Sequence, residues 1–361
     1  MTKNWECILK SIDSRVKILQ SISLTIYQRA VVVNCIINAK LWYLSHIYPL
    51  SINFANKIKR LTYHYVWGKK CEPVRRTTIT LPKNKGGLGI IDIFYKSQSI
   101  LVSSFLKSYM NENGILYMID YYNYIRTNRL LNVTSNSIHH SFVGTVYYRE
   151  TISIVQKCTH IRKFPNISAK IIYKEIMPKN KPIIEESYGL YNWKQIWNNL
   201  ASNLILHTER ETLFKYLHEI LPTKKRLKDI RYIPSATCDH CPQEESNIHV
   251  VYQCSKYKEV SVWFSNILKK LADIDDPQFI RLSFMEIPKM DIKAKNAAIF
   301  MLSTYIVSMW QARQSNMDHA ICVKHVKSCL IKKIGLIKLS LGEKIKNKFS
   351  MKICDMKWSD L

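Results

Sequence analysis

The sequence is short of glycine, of acidic residues and of long apolar runs, and each shortage removes a class of protein. Nine glycines in 361 residues leave little material for the glycine-rich phosphate loops of nucleotide-binding α/β folds. Acidic residues number 27 against 54 lysines and arginines, a formal charge of +27. Such an excess repels itself and attracts polyanions, so nucleic acid is the leading partner class and an anionic membrane surface the second. The longest apolar run, Ala297 to Trp310, is interrupted by Ser303, Thr304 and Ser308 and is too short to cross a bilayer; a buried helix is expected there, and no membrane span. The opening MTKNWECILK lacks the apolar core of a signal peptide. An intracellular, reducing compartment is therefore expected, nucleus or cytoplasm undecided, with the cysteines as thiols or metal ligands. A catalytic carboxylate pair is missing too. The adjacent aspartates Asp275 and Asp276 precede Pro277 at the end of a helical pattern, where a helix stop is the better account.

What is present points to a folded, mainly α chain of two or three domains, with hydrophobic residues at 47% and 21 tyrosines. Its most specific feature is the stretch CDHCPQEESNIHVVYQC, from Cys238 to Cys254. CxxC, then His249, then Cys254 brings four borderline-soft ligands close together in sequence, as a tetrahedral zinc site requires. Pro242 suits a knuckle that bends away, Asn247 can cap a short turn carrying His249, and Asp239 and His240 read as solvent-facing knuckle residues. Three thiolates and a neutral imidazole fill all four positions, leaving none for a catalytic water. One structural zinc ion is the expectation, on Cys238, Cys241, His249 and Cys254.

Along the chain, Ile26, Ala30, Val33, Ile37, Leu41 and Leu44 form a helical stripe that ends at Pro49. Ser51 can cap a second helix through Trp67, closed by Gly68, with Ile52, Ala55, Ile58, Tyr65 and Val66 inward and Lys57, Lys59 and Arg60 outward. More cations follow at Lys69, Lys70, Arg75 and Arg76, the run LPKNKGGLGIID reads as a turn, and Asp92 can cap a third helix ending near Met110. Residues 1–110 hold 17 basic against 4 acidic side chains, so this region is expected to be a basic helical domain facing phosphates. Residues 111–187 read as a connector with a helix near 145–161 and a boundary at the PKNKP run of 178–182. Residues 188–275 read as the zinc-binding domain, with helical faces from Trp193 to Leu200 and from Glu211 to Leu221, Phe214, Leu217 and Ile220 inward. Thr223 can cap KKRLK, which serves either as a helix start or as a nuclear signal, and Ser255 can cap a periodic helix carrying Val260, Trp263, Phe264, Ile267, Leu268 and Leu271. Residues 276–361 read as a C-terminal helical region. There Val323, Val326, Leu330, Ile334, Ile337, Leu341, Ile345 and Phe349 line one face, and lysines including Lys332, Lys333, Lys344 and Lys346 fill the others, with breaks allowed at Gly335 and Gly342. A helix packed on its domain and an RNA-contacting arm both fit that pattern, and a helix lying on a membrane surface fits it less well.

The succession Arg29, Val33, Asn34, Lys40, Leu41, Trp42 and Tyr43, then Trp67-Gly68, Leu81-Pro82 and Gly86-Gly87-Leu88-Gly89, resembles the segment after the palm in non-LTR (LINE-type) retrotransposon reverse transcriptases. In that family the segment is the helical thumb, which holds the template and primer duplex. The layout Trp193 to Trp197, LHEILPTKKRL, the CCHC cluster and a Trp-bearing helix is similar to the family's reverse-transcriptase zinc-binding domain. The two matches cover about residues 15–110 and 190–270. The resemblance implies a thumb-like region, a zinc-binding domain, contacts to RNA or RNA/DNA duplex backbone, and association with a full-length reverse transcriptase. The chain begins after the place of the palm, whose paired aspartates would bind two metal ions for nucleotidyl transfer. A non-catalytic nucleic-acid-binding fragment is therefore expected, with Lys57, Lys59, Arg60, Lys69, Lys70, Arg75, Arg76, Lys344 and Lys346 as backbone contacts. The alternatives are the tail of an active RNA-directed DNA polymerase, its palm encoded upstream or supplied in trans, and a zinc-stabilised protein-interaction module.

Overall fold

The computed structural model describes residues 2–110, 146–157, 168–272, 274, 279–349, 351–354, 357 and 359. The described chain is mainly helical, with no strand among the described residues and one isolated bridge, Thr237 to Glu244. None of the described helices is long and apolar enough to cross a membrane. Two compact units are formed, one from residues 1–72 and 89–180, the other from 73–88 and 181–361. The second junction falls inside the PKNKP run. The segment 73–88, expected to belong with the N-terminal helices, groups with the C-terminal half.

The first unit is built on α1 (Thr2–Leu19), α2 (Ile26–Val32), α3 (Ala39–Ser45), α4 (Ile52–Trp67), α5 (Ile93–Met110), α6 (Val146–Lys157) and α7 (Ala169–Ile176). Thr25 and Gln28 cap α2 reciprocally. The stripe of residues 26–44 is not one regular helix, because a π-turn over Val33–Ile37 separates α2 from α3. Ile26, Ala30, Val33, Ile37 and Leu41 remain buried through it. The helix α1, absent from the sequence-based expectations, buries Trp5, Ile12 and Val16, and the Trp5 indole donates to Pro49 O at 3.2 Å.

Three residues of the reverse-transcriptase resemblance, Arg29, Gly68 and Asn34, have structural work within this unit. Arg29 Nη1 donates at 2.9 Å to Tyr65 O, a carbonyl left over at the end of α4. Gly68 closes that end at φ +65°, and a Cβ there would come within 2.7 Å of Arg29 Nη1. Asn34 binds the backbone on both sides, donating to Gly89 O and accepting from Ile91 N, each at 2.9 Å. Asp92 caps α5 as expected, its Oδ1 accepting from Phe94 N at 3.0 Å. Val102, Phe105, Leu106, Ile154, Val155 and Ile172 form a core among α5, α6 and α7, so α6 and α7 contribute to a packed interior. The remainder of the expected connector, 111–145 and 158–167, lies outside the described residues. Ile52, expected inward, is 49% exposed, because it is the first residue of α4 and lies beyond the core-facing stripe.

The second unit contains α8 (Trp193–Leu200), α9 (His207–Leu217), α10 (Lys224–Asp229), α11 (Lys258–Ala272), α12 (Ile292–Gln314) and α13 (His319–Leu341), with short helical turns between them. The centre is α12, in which every residue from Ala297 to Trp310 is buried. The apolar face of α11 is as expected, with Val260, Phe264, Ile267, Leu268 and Leu271 buried, but its start is Lys258 after a 3₁₀ turn, without a Ser255 cap. The helix α9 ends at Leu217, and Ile220, expected inward, is half-buried beyond it. The helix α13 runs through Gly335 without a break and ends at Gly342, where φ is +52°. Its face Val326, Leu330, Ile334 and Ile337 is buried as the spacing required. Lys333, expected among the outer lysines, is instead 1% exposed, its ammonium 2.8 Å from a Glu209 carboxylate oxygen.

The GGLG turn packs inside this unit. Gly86, at φ +78°, lies under the ring of Trp197, and His218 donates from Nε2 to Gly86 O at 2.8 Å while stacking on the same indole. Burial pushes the His218 imidazole down to about 4, so the ring is neutral at pH 7. Gly87 has no room for a side chain, since a Cβ would stand 2.0 Å from Leu81 O. Gly87→Ala must therefore move backbone, and a loss of at least about 1–3 kcal/mol is expected in a denaturant titration. An unchanged midpoint would mean that the turn is free to open.

Candidate metal centre

The centre is assembled from a tight hairpin and a π-turn. In the hairpin Glu245 N donates to Ala236 O at 2.8 Å and Cys238 N to Gln243 O at 2.9 Å, which folds Cys238 and Cys241 into one bend. The His240 N–H points at Cys238 Sγ, 3.5 Å away. Beyond the hairpin, Ser246 Oγ accepts from His249 N at 3.1 Å. Ser246 takes the capping place expected of Asn247, whose side chain is drawn away to Tyr216 O at 2.6 Å. Residues His249–Gln253 then form a π-turn closed by Cys254 N donating to His249 O at 2.9 Å. In a regular α-helix these two positions would diverge around the axis. The wider turn brings their side chains to one side, a use of π-geometry frequent at functional sites.

The result is a cluster in which the ligand atoms of Cys238, Cys241, His249 and Cys254 all lie within 4.8 Å of one another. Cys238 Sγ and Cys254 Sγ are 3.9 Å apart, and Cys241 Sγ and His249 Nε2 are 3.4 Å apart. A tetrahedral ion bound at ordinary metal–sulfur and metal–nitrogen lengths would separate two sulfurs by about 3.8 Å and a sulfur from a nitrogen by about 3.6 Å. The sulfur pair is also far too long for a disulfide, which needs about 2.05 Å. The four residues can hold a metal ion. Among the described residues no other group of three or more His, Cys, Asp or Glu side chains is brought together in this way. Asp275 and Asp276 lie outside the described residues.

Protonation chemistry fits the same use. Burial lowers the His249 imidazole, partly opposed by Glu245, which keeps the ring neutral and able to ligate. Its Nδ1 stands 3.2 Å from Gln243 Oε1, so Nδ1 carries the proton and Nε2 presents its lone pair to the sulfurs. Burial, reinforced by the thiols of Cys238 and Cys241, pushes the Cys254 thiol up to about 12. A Cys254 thiolate at neutral pH thus requires a cation beside it.

Sequence reasoning missed the residues that hold the knuckle in place. Glu245, 3% exposed, accepts from Arg313 Nη2 at 2.7 Å and Nε at 3.1 Å, and from Lys224 N at the start of α10 at 3.0 Å. Tyr305 OH donates to Val251 O at 2.9 Å, and Tyr257 OH to Met317 O at 3.1 Å. These ties reach across α10, α12 and the turn between α12 and α13, and spacing along the chain carries no signal of them. The KKRLK run forms α10 behind the Thr223 cap, and Lys224 and Lys225 pair with Asp239 and Glu244 of the hairpin.

The nine cations expected to contact nucleic acid fall in different places. Lys57, Arg60, Lys69 and Lys70 are exposed on α4 and just past it. Lys59, expected outward with them, turns into the first unit and pairs with Asp92 at 2.7 Å, its side chain only 12% exposed. Arg75 is exposed and Arg76 half-buried, and both belong to the second unit. Lys344 is exposed in the second unit, while the side chain of Lys346 lies outside the described residues. No protein-family model matches the chain, and no curated protein matches it.

Proposed function

We propose that the chain is a zinc-stabilised, non-catalytic nucleic-acid-binding protein. In this reading it is the counterpart of the thumb-like and zinc-binding portion of a non-LTR retrotransposon reverse transcriptase, and it contacts the backbone of RNA or RNA/DNA duplexes. The observation that carries the reading is the +27 charge, of which Lys57, Arg60, Lys69 and Lys70 stand exposed on one unit with no ion pair among the described residues. Uncompensated cations on a folded surface are the electrostatic footprint of a phosphate partner. Zinc is the ion of choice because three thiolates with one imidazole suit it in tetrahedral geometry, and a filled ligand set makes the site structural.

A salt titration tests the phosphate contacts. Reversing Lys57 and Arg60 to glutamate should weaken binding of unrelated RNA and RNA/DNA duplexes by similar factors, since phosphate contacts position without specifying. The dependence of log affinity on log salt should flatten by slightly under about one unit for each phosphate that is deprived of its cation. Lys59 serves as the contrast, because Lys59→Glu breaks its pair with Asp92 and should act on stability. Reversal of Lys344 asks whether the C-terminal region shares in phosphate binding. Slopes unchanged in both reversals would favour a protein-interaction module.

A further inference from the structure

Four described non-glycine residues have positive φ: Glu219, Arg231, Met285 and Asn316. Three of them have local compensation. The Glu219 carboxylate accepts from Tyr188 OH at 2.7 Å; Met285 is fully buried, and its carbonyl accepts from Asn199 at 2.8 Å; Asn316 is a residue type that tolerates this region, and its Oδ1 accepts from Lys256 at 2.6 Å. Arg231, at φ +59°, is exposed, and its guanidinium has neither a hydrogen bond nor an ion pair among the described residues.

The backbone around Arg231 is nonetheless well made. Arg231 N donates to Lys228 O and Tyr232 N to Leu227 O, both at 2.8 Å, the paired bonds that end a helix on a left-handed residue. That position ordinarily takes glycine, and the following side chain ordinarily folds back on the helix's last turn. Here the left-handed position holds arginine, and the next residue, Tyr232, is 77% exposed. Both departures point outward, and strain kept at an exposed position is found where function requires it.

We propose that Arg231 and Tyr232 form a contact site for single-stranded nucleic acid, with the Tyr232 ring stacking on a base and Arg231, aided by Lys228, binding the adjoining phosphates. This rests on the nucleic-acid reading above and adds to it the strandedness of one ligand and the residues that select it. Lys224 and Lys225 are engaged by Asp239 and Glu244, whereas Lys228 and Arg231, both exposed near Tyr232 in the chain, have no ion pair among the described residues. Asp229, exposed on the same turn, keeps the patch from being a purely cationic surface. Fixed hydrogen bonds hold the tip in place, so little ordering is required when a base stacks on it.

The test measures fluorescence anisotropy of the zinc-loaded full chain with an unstructured single-stranded RNA of about a dozen nucleotides and with an RNA duplex. Tyr232→Ala should weaken single-strand binding roughly tenfold with an unchanged salt slope, because stacking releases no counterions. Duplex binding should stay within about twofold, since paired bases are not available to stack. Tyr232→Phe should retain most of the affinity. Arg231→Gly should reduce the single-strand salt slope by slightly under about one unit, and, by relieving the left-handed strain, raise the thermal midpoint by roughly 2 °C. If the wild type binds neither probe, the nucleic-acid reading itself fails. If it binds both and Tyr232→Ala leaves single-strand affinity unchanged, only the stacking site is overturned and the tip is reassigned to a protein contact. A lowered midpoint in Arg231→Gly would overturn the strained-contact argument.

Discussion

Serine in place of Cys241 or Cys254 is expected to abolish stoichiometric metal binding and to destabilise the C-terminal unit strongly. The cluster is not an appendage, since the hairpin and π-turn that carry it are tied through Glu245 to Arg313 on α12 and to the start of α10, and through Val251 O to Tyr305. Structural zinc in a four-ligand site contributes on the order of 10 kcal/mol of folding free energy in small domains. A typical domain holds only about 5–15 kcal/mol in total. Loss of a ligand should thus lower the thermal midpoint of this unit by more than about 10 °C, and a chelator should produce the same shift in the wild type. Cys35→Ser is the control, because Cys35 is exposed and remote in sequence from the cluster. Elemental analysis and thermal unfolding decide the matter together. Protein purified without chelator that carries no metal, or a Cys254→Ser variant that melts like the wild type, would remove the metal from the account of this fold.

The four residues of the candidate metal centre are legible in the sequence because a cluster compressed into one stretch leaves fixed spacings in it. Much of the remainder is not, and the reasons differ residue by residue. Gln243, Glu245 and Arg313 orient and anchor the knuckle, but Glu245 and Arg313 meet only once α12 is in place. Lys59 and Lys333 are expected outward because lysine is seldom buried unpaired. Their partners Asp92 and Glu209 lie on other helices, and no local pattern announces them. For Lys333 the period itself holds the answer, since the residue falls on the side of α13 that carries Val326, Leu330 and Ile337; position outweighs residue type there. The helix α1 is legible in the same way, from the spacing of Trp5, Ile12 and Val16. The π-turns at Val33–Ile37 and His249–Gln253 leave no trace in periodicity, which continues across the first with its buried face intact.

Lys333 offers the second large effect. Its ammonium donates to Phe300 O at 3.0 Å, Ser303 Oγ at 2.7 Å and Thr304 Oγ1 at 3.1 Å, and faces Glu209, whose Oε1 accepts from Thr304 Oγ1 at 2.9 Å. Every donor of the ammonium is thus occupied in a site closed to water. Such a pair need not add stability over an apolar pair, but removing one member strands a buried charge at a cost of about 3–5 kcal/mol. Lys333→Met is therefore expected to lower the thermal midpoint by roughly 10 °C. Adding Glu209→Gln should restore most of it, because the stranded charge goes while an amide oxygen can still accept from Leu206 N, as Glu209 Oε2 does at 3.0 Å. The pH dependence has a definite sign. Burial, opposed by Glu209, pushes the Lys333 ammonium down from 10.5 to about 8. Because the folded value lies below the unfolded one, the unfolded chain binds the extra proton between these limits, and stability rises with pH there. The cost of burying the charge is present in full below about 8 and is relieved as pH climbs toward 10.5. Wild type measured against Lys333→Met should gain stability across that window. A difference that stays flat there, or a double variant no more stable than the single, would show that water reaches the pair and that α13 is held by its apolar face alone.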